Sequence, residues 1–383
     1  MVDINDIRDI NQTVFLHLIR ERQPISRADI AKLMGLRAGT VSSIVSRLLR
    51  NGAIYEGAEG PSSGGRKPTY LYINGENAYV LAVDIGVKDT VYAVSDFNGR
   101  ILMQKNLLTK GKSENFLIHL ATEIENTVQN NYARMRFAAV GVSVPGLINR
   151  DSGEVAVSPN LEWTNAPVKA ILEEKLKLPV FVENDANAAA YSELWYGPLD
   201  EIKVRTLLYI LVVDGLGTGL IIDGKLHIGS QIGLGGFGHM SIEPNGEVCS
   251  CGRKGCWETL ASESALLARY HRLMSNKSSA VTSSVTDLIA LAHSGEEKAL
   301  SALQSTAEYL GDGIASLAHG LSPETIVIGG NITAAWDLIS PIIKDKVKSR
   351  YLIPAVAKIN IRPASVSRPS LFGAIPIALQ NFF

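Results

Sequence analysis

Apolar residues in the first quarter of the chain recur at helical spacing, then switch to alternation. Ile7, Ile10, Val14, Phe15, Leu18 and Ile19 mark one amphipathic helix that must end before Pro24, because proline disfavours helix at its predecessor. Ser26 stands as an N-cap ahead of Arg27 to Met34, Asp29 sits where a capping-box partner belongs, and Gly35 supplies a left-handed stop. A third helix is predicted from about Gly39 to Asn51, with Val41, Ile44, Val45 and Leu48 inward and Ser42, Ser43, Ser46, Arg47 and Arg50 outward. Two β-prone runs follow, Ala53 to Glu56 and Thr69 to Ile73, around a Gly/Pro/Ser-rich loop that carries Arg66 and Lys67. Three short helices and a hairpin predict a winged helix-turn-helix over 1–75, with Arg37, Thr40, Ser42, Ser43, Arg47, Arg66 and Lys67 as candidate DNA contacts. A small dimerisation bundle followed by a flexible linker is the plainer alternative.

The rest of the pattern occurs twice. Ala78 to Asp84 is a continuous β-prone run ending in Asp84-Ile85-Gly86, followed by Val91 to Asp96, a turn at Asn98-Gly99 and Ile101 to Met103. Leu207 to Asp214 repeats the plan, with Gly215-Leu216-Gly217-Thr218-Gly219, Leu220 to Ile222, a turn at Asp223-Gly224 and Leu226 to Ile228. Strand, acidic-glycine turn, strand, hairpin and strand in duplicate predict two α/β lobes, 76–190 and 191–372, with a cleft between them. Glycines in the first turns let backbone N–H groups approach phosphate oxygens, which makes Asp84, Gly86, Gly215, Gly217 and Gly219 candidate phosphate-loop residues. Most turn glycines are structural, so the duplication carries that reading.

Composition alters the picture at one place. The chain has 383 residues, 37 basic and 38 acidic side chains, and a net charge of −1, yet Arg20 to Arg50 holds seven cations against two acids. That local excess points to a polyanion, or to a solvated basic helix face. No apolar run approaches the roughly 20 residues of a membrane span, and the first residues lack a leader pattern, so a cytoplasmic protein without membrane partners is expected.

Two constellations carry chemistry. Glu183-Asn184-Asp185 follows the buried run Leu178 to Val182 and precedes an alanine-rich helix, and strand ends of α/β sheets are where sites gather. Asn184 offers donor and acceptor to hydroxyls. Asp185 either accepts a proton or hydrogen bond from a sugar hydroxyl, or only caps the helix that starts there. Asn160 and the Val144-Pro145-Gly146 turn add polar loop groups. All three cysteines fall within eight residues, in the pattern His239, nine residues, Cys249, one residue, Cys251, four residues, Cys256. Three thiolates and an imidazole make a closed tetrahedral Zn²⁺ shell with no vacant position, hence a structural zinc; a reduced, metal-free loop is the alternative. Such a staple would fix Glu258, two residues past Cys256, toward the cleft.

The winged helix, Asp84-Ile85-Gly86, Glu183-Asn184-Asp185, Gly238-His239 and Cys249-Ser250-Cys251-Gly252-Arg253-Lys254-Gly255-Cys256-Trp257-Glu258 together resemble the ROK family of repressors, open reading frames and sugar kinases. The resemblance spans essentially the whole chain. It implies an actin/hexokinase-like (ribonuclease-H-like) fold whose C-terminal helix, near 373–383, returns to the first lobe. It also implies sugar contacts at Asn160, Asn184, Asp185, His239 and Glu258, with Asp185 the base where kinase activity exists and His239 also a zinc ligand. Two departures stand out. The kinases of the family read Asp-x-Gly-Gly-Thr where this chain has Asp84-Ile85-Gly86-Val87-Lys88, so a branched side chain lies where backbone must hug phosphate. The family pattern Gly-Glu-x-Gly-His appears as Gly235-Gly236-Phe237-Gly238-His239, which removes a bidentate acceptor.

These features predict a sugar-responsive repressor without kinase activity, a homodimer or homotetramer that binds a double-stranded operator and a sugar or sugar phosphate. An active sugar kinase with a DNA-binding arm is the alternative. A third reading is control by a protein partner, such as a phosphotransferase-system component docking near the zinc loop.

Overall fold

The computed structural model describes residues 14–60, 67–76, 78–198, 205–228, 236–274, 282, 284–350 and 359–379. Residues 14–22 are helical (α1), followed by α2 (Arg27–Met34) and α3 (Ala38–Arg50). The start of the expected first helix, at Ile7 and Ile10, lies outside the described residues, as does Arg66 of the wing. Ser26 and Asp29 form the reciprocal box: Asp29 N–H donates to Ser26 Oγ at 3.2 Å, and Ser26 N–H donates to Asp29 Oδ2 at 3.1 Å. Gly35 ends α2 at φ 65°, a left-handed conformation in which glycine avoids a Cβ penalty. Strand β1 (Ile25–Ser26) pairs with β3 (Thr69–Ile73), which pairs with β2 (Ile54–Glu59), and Phe15, Ile30, Val41, Val45, Leu48 and Leu71 fill the space between helices and hairpin.

The two lobes share one topology. In the first, β4 (Tyr79–Ile85), β5 (Asp89–Asp96) and β6 (Ile101–Leu108) form an antiparallel meander, and β7 (Phe137–Val144) and β11 (Val180–Asn184) add parallel strands on the other side of β4. Helix α4 (Ser113–Asn131) makes the crossover from β6 to β7. A small sheet of β8 (Leu147–Asn149), β9 (Glu154–Ser158) and β10 (Trp163–Ala166), then α5 (Val168–Leu176), precede β11. Helix α6 (Asp185–Tyr196) leads to the second lobe, where β12 (Thr206–Val212), β13 (Leu216–Ile222) and β14 (Lys225–His227) repeat the meander. Helices α7 (Trp257–Ala261), α8 (Glu263–Met274), α9 (Val285–His293) and α10 (Glu297–Leu321) intervene before the parallel strand β15 (Thr325–Gly329), α11 (Trp336–Arg350) and β16 (Asn360–Pro363).

Helix α12 (Pro369–Leu379) packs on α6, β7 and β4 of the first lobe. Gly141 makes this possible, since a Cβ there would lie 1.8 Å from the Ala374 carbonyl oxygen. Residue 190, the expected lobe boundary, falls inside α6, which packs against both β11 and β13. Gly217 and Gly219 also depart from the sequence reading: they lie in strand β13 and not in a loop. Added Cβ atoms would stand 2.8 Å from Ala186 Cβ and 2.6 Å from the Ala186 carbonyl oxygen, so these glycines let α6 lie directly on the second sheet.

Candidate functional site

The carboxyl ends of β4, β11 and β12 and the β8–β9 insertion converge on a cleft of about 770 Å³. Asp84, Gly86, Asn160, Asn184, Asp185, Gly215, Gly217, His239 and Glu258 all line it; Gly219 does not. Sequence separations of up to about 170 residues collapse here because each lobe presents its strand ends to the same gap.

Asn184 is the N-cap of α6. Its Oδ1 accepts from the N–H groups of Ala186 at 3.0 Å and Asn187 at 3.2 Å, and its Nδ2 donates to the Gly146 carbonyl at 3.1 Å, while its side chain also hydrogen-bonds the Asp185 carboxyl. The capping alternative for Asp185 thus falls to its neighbour, although Asp185 Oδ1 also accepts from Ala186 N–H at 2.9 Å. Burial raises Asp185 to about 6 and Asp84, which accepts from the Ser143 hydroxyl, to about 7, with the Asp185 charge also raising Asp84. Both carboxyls can hydrogen-bond hydroxyl groups, as acceptors when ionised and as donor and acceptor when protonated.

The second lobe brings Glu258 from the first turn of α7. Its Oε2 accepts from Leu216 N–H at 3.1 Å, while Oε1 lies 3.4 Å from Ser250 Oγ. Gly215 leaves room for this convergence, because a Cβ there would sit 2.5 Å from Glu258 Oε2 and 2.8 Å from Asn160 Nδ2. Gly236 differs: among the described residues nothing lies within 4 Å of an added Cβ. A Gly236→Glu chain should therefore fold normally and bind the sugar that the family resemblance implies about tenfold or more tightly by calorimetry, since a charge-assisted hydrogen bond contributes about 1.5–3 kcal/mol; weaker binding would place the ligand elsewhere.

His239, Cys249, Cys251 and Cys256 bring one ligand atom each to within 4.8 Å of one another. Cys251 Sγ and Cys256 Sγ are 3.6 Å apart, and Cys249 Sγ is 3.5 Å from His239 Nδ1, spacings that suit one tetrahedral ion. Burial and the neighbouring thiols push Cys256 up to about 12, as suits a thiol that ionises when a cation is beside it. The quartet can hold a metal. Trp257 anchors the loop behind it: the indole N–H donates to the Tyr309 carbonyl at 2.8 Å, and the ring packs where a Cβ on Gly313 would stand 2.1 Å away.

Several lining groups, among them Arg150, Glu263 and Asn331, escaped the sequence reading, and Glu183 and Lys88 were named there without these partners. Glu183 accepts from the Arg150 guanidinium, from Asn184 N–H at 2.9 Å and from Asn187 Nδ2 at 2.9 Å, so it orients the α6 turn. Glu263 accepts from Asn331 Nδ2 at 3.0 Å and Ile332 N–H at 3.1 Å. The β-branched run of β15 ending in Gly329-Gly330 was the signal for this third glycine turn; Gly330 has φ 115°. Lys88 Nζ reaches across the gap to Asp214 Oδ1 at 2.6 Å. Seven carboxyl groups line the cleft against Lys88, Arg150 and Arg253, and the first two of these cations are matched by Asp214 and Glu183.

The buried Asp84 sets a pH dependence. A carboxyl whose folded pKa lies above its unfolded value favours the folded state below the unfolded pKa and loses that contribution as pH rises through the folded one. Thermal unfolding of Asp84→Asn should therefore match wild type near pH 4 and show an advantage of about 2 kcal/mol by pH 8. The size follows because raising a carboxyl by one pH unit costs its ionised form about 1.4 kcal/mol, part of which the site recovers by relaxing. An advantage confined to low pH would contradict the burial argument.

In the head, the N-cap Arg37 and Thr40, Ser42 and Ser43 of α3 are exposed, with Arg47 half-buried, and Lys67 is exposed beside Glu59 at 4.0 Å. The cation excess counted along 20–50 is smaller at the surface, since Arg20 is only 10% exposed and Arg27 pairs with Glu56 at 2.9 Å.

A helix-turn-helix head joined to two actin/hexokinase-like lobes is the class of protein that this fold defines. The family model described as ROK family matches residues 80–381, and the MarR family model matches 9–56. The chain belongs to the ROK family. It is 32% identical over 394 residues to the xylose repressor of Bacillus spizizenii, covering 100% of this chain and 98% of that one. Among solved structures it is similar to a ROK family transcriptional regulator that is a homologue of the Escherichia coli MLC protein, with TM-score 0.79 and 27% identity over 98% of this chain and 97% of the other. It is also similar to a ROK family glucokinase from Streptomyces griseus in complex with glucose and AMPPNP, with TM-score 0.71 and 27% identity, over 79% of this chain and 100% of that one.

Proposed function

We propose that this protein is a cytoplasmic transcriptional repressor whose hold on a double-stranded operator is controlled by a sugar bound between its lobes. One observation carries the reading: a helix-turn-helix head with an exposed recognition face shares its core with the lobe that contributes Asp84, Asn184 and Asp185 to the cleft. The full-length similarity to a xylose repressor supports it. Recognition would use Arg37, Thr40, Ser42, Ser43 and Arg47 on α3, with Arg66 and Lys67 of the wing on the phosphates or minor groove. Asn160, Asn184, Asp185, His239 and Glu258 would hold the sugar hydroxyls. An excess of carboxyls, with Lys88 and Arg150 already matched, favours an uncharged sugar over its phosphate ester.

The quartet His239, Cys249, Cys251 and Cys256 fits a structural Zn²⁺, which when bound supplies a closed tetrahedral node and no reactive position. Its Nδ1 on the metal side leaves His239 Nε2 for the cleft, and Ser250 and Leu216 hold the Glu258 carboxylate beside it. The Lys88–Asp214 pair joins the two glycine turns that would have to receive a nucleotide phosphate, and Val87 would stiffen the first of them; both features argue against kinase activity. A dimer or tetramer would place two heads on a pseudo-palindromic site, and about 2.7 kcal/mol of differential affinity suffices for a hundredfold shift in occupancy.

Fluorescence anisotropy of the full-length protein on duplexes selected from a random pool tests this, repeated with D-xylose, D-glucose, N-acetyl-D-glucosamine and their phosphate esters. Release by an uncharged sugar is expected, and failure to bind any duplex would refute the reading. Sugar-dependent ADP release that disappears in Asp185→Asn would establish the kinase alternative instead.

A further inference from the structure

Helix α6 is gripped at three points by three different parts of the molecule. At its first turn, Asp185 lines the cleft. Two turns on, the fully buried Glu193 carboxylate accepts from Arg362 Nη2 at 2.9 Å, Ser365 N–H at 2.7 Å, Ser365 Oγ at 2.8 Å and Val366 N–H at 3.2 Å, all at or just after β16 of the second lobe. At the last turn, the Trp195 carbonyl accepts from the Arg20 guanidinium of the head, and His17 Nδ1 lies within hydrogen-bond distance of both that carbonyl and Arg20 Nη2. Arg20 also lies over the Tyr196 ring, 4.4 Å from its centroid, and Tyr196 meets Phe372 of α12 edge-on at 5.5 Å.

The helix is also held closely on two further sides. Its twelve residues span about 18 Å. Gly217 and Gly219 press β13 onto one side, and Gly373 brings α12 against the Ala188 carbonyl on another, where a Cβ would come within 1.8 Å. Neither contact leaves slack for bending. Beside the core that it shares with the first lobe, the head places a cation over the negative end of this helix, a contact whose strength depends on where that last carbonyl points.

We propose that α6 is the transmission element between cleft and head, with Arg20 as the positioning residue that couples them and His17 as its partner on the Trp195 carbonyl. Closure of the second lobe on a ligand draws on Glu193, shifts the carbonyl under Arg20, and reorients the two helices that follow α1. This rests on the sugar-sensing reading for its biological sense. The mechanical coupling is testable without it.

Two arms separate the ideas, both using the full-length protein and its selected duplex. In the first, D-xylose and D-glucose serve as probes: calorimetry gives sugar affinity, and anisotropy gives duplex affinity with and without sugar. Arg20→Ala should keep both individual affinities within about threefold, while the sugar-driven change in duplex affinity, about tenfold or more in wild type, falls below about twofold. Arg20→Lys should retain most of the coupling, and Tyr196→Leu, which removes the ring beneath the guanidinium, should weaken it as Arg20→Ala does. Undiminished coupling in both Arg20→Ala and Tyr196→Leu would overturn the proposal.

The second arm needs no sugar, because linkage is reciprocal. Duplex binding should change amide hydrogen exchange of the 184–187 turn in wild type and leave it unchanged in Arg20→Ala. A wild-type turn indifferent to the duplex overturns the transmission element, whereas absence of sugar binding with a responsive turn removes only the sensing reading.

Discussion

Replacing Cys256 by serine should abolish Zn²⁺ binding by the proposed quartet and lower the melting temperature by about 10 °C. Cys256 is fully buried at the N-terminus of α7, its Sγ is 3.6 Å from that of Cys251, and the next residue is the fully buried Trp257 on which α10 packs. Structural zinc contributes about 10 kcal/mol or more to the folding of an isolated finger, and a loop embedded in a lobe stands to lose part of that. At about 2–4 °C per kcal/mol for a domain of this size, a loss near 4 kcal/mol gives the stated shift. Calorimetric melting with metal analysis by mass spectrometry decides it. Equal melting temperatures, with no zinc in the wild-type protein, would remove the metal from the account. Because Ser250 and Leu216 hold Glu258, sugar affinity should fall along with the metal.

Asp185→Asn should move two quantities in opposite directions: sugar affinity down about a hundredfold, and stability at pH 8 up. The first follows from exchanging a carboxylate acceptor for a neutral amide in a buried site, where a charge-assisted bond is worth about 1.5–3 kcal/mol. The second follows from burial, which raises the Asp185 carboxyl to about 6. Ionising it above that pH opposes folding, and an amide escapes the cost. The helix should survive, since Asn184 and not Asp185 provides the main cap. Duplex binding without sugar should be unchanged, while release by sugar is lost. A drop in stability together with affinity would mean that Asp185 is chiefly a structural residue.

The elements that were legible beforehand are those written in short stretches. The Ser26–Asp29 box, the Gly35 stop, the Asn98-Gly99 and Asp223-Gly224 turns, and the His239 to Cys256 spacing each involve partners close in sequence, where backbone geometry leaves few arrangements open. The repeated meander was likewise readable, because each copy is a local run of strands and tight turns. Asp84, Asn184 and Asp185 were found because they stand at strand ends, which face a gap in a two-lobed α/β arrangement, whereas Asn160, His239 and Glu258 came as sugar contacts only with the family resemblance.

What the chain alone determined, then, is the identity of its parts: a winged head, two copies of one lobe, and a loop able to bind metal. Which residues meet across those parts was decided only in three dimensions. Arg20 and Trp195 are 175 positions apart, Glu193 and Ser365 are 172, and Glu263 and Asn331 are 68, and no periodicity links such pairs. Even Gly217 and Gly219, read locally as a loop near phosphate, owe their lack of a side chain to a helix thirty residues away. Propensity and spacing act over a few residues, whereas packing selects among distant partners by shape and by the cost of leaving a buried polar group unmatched.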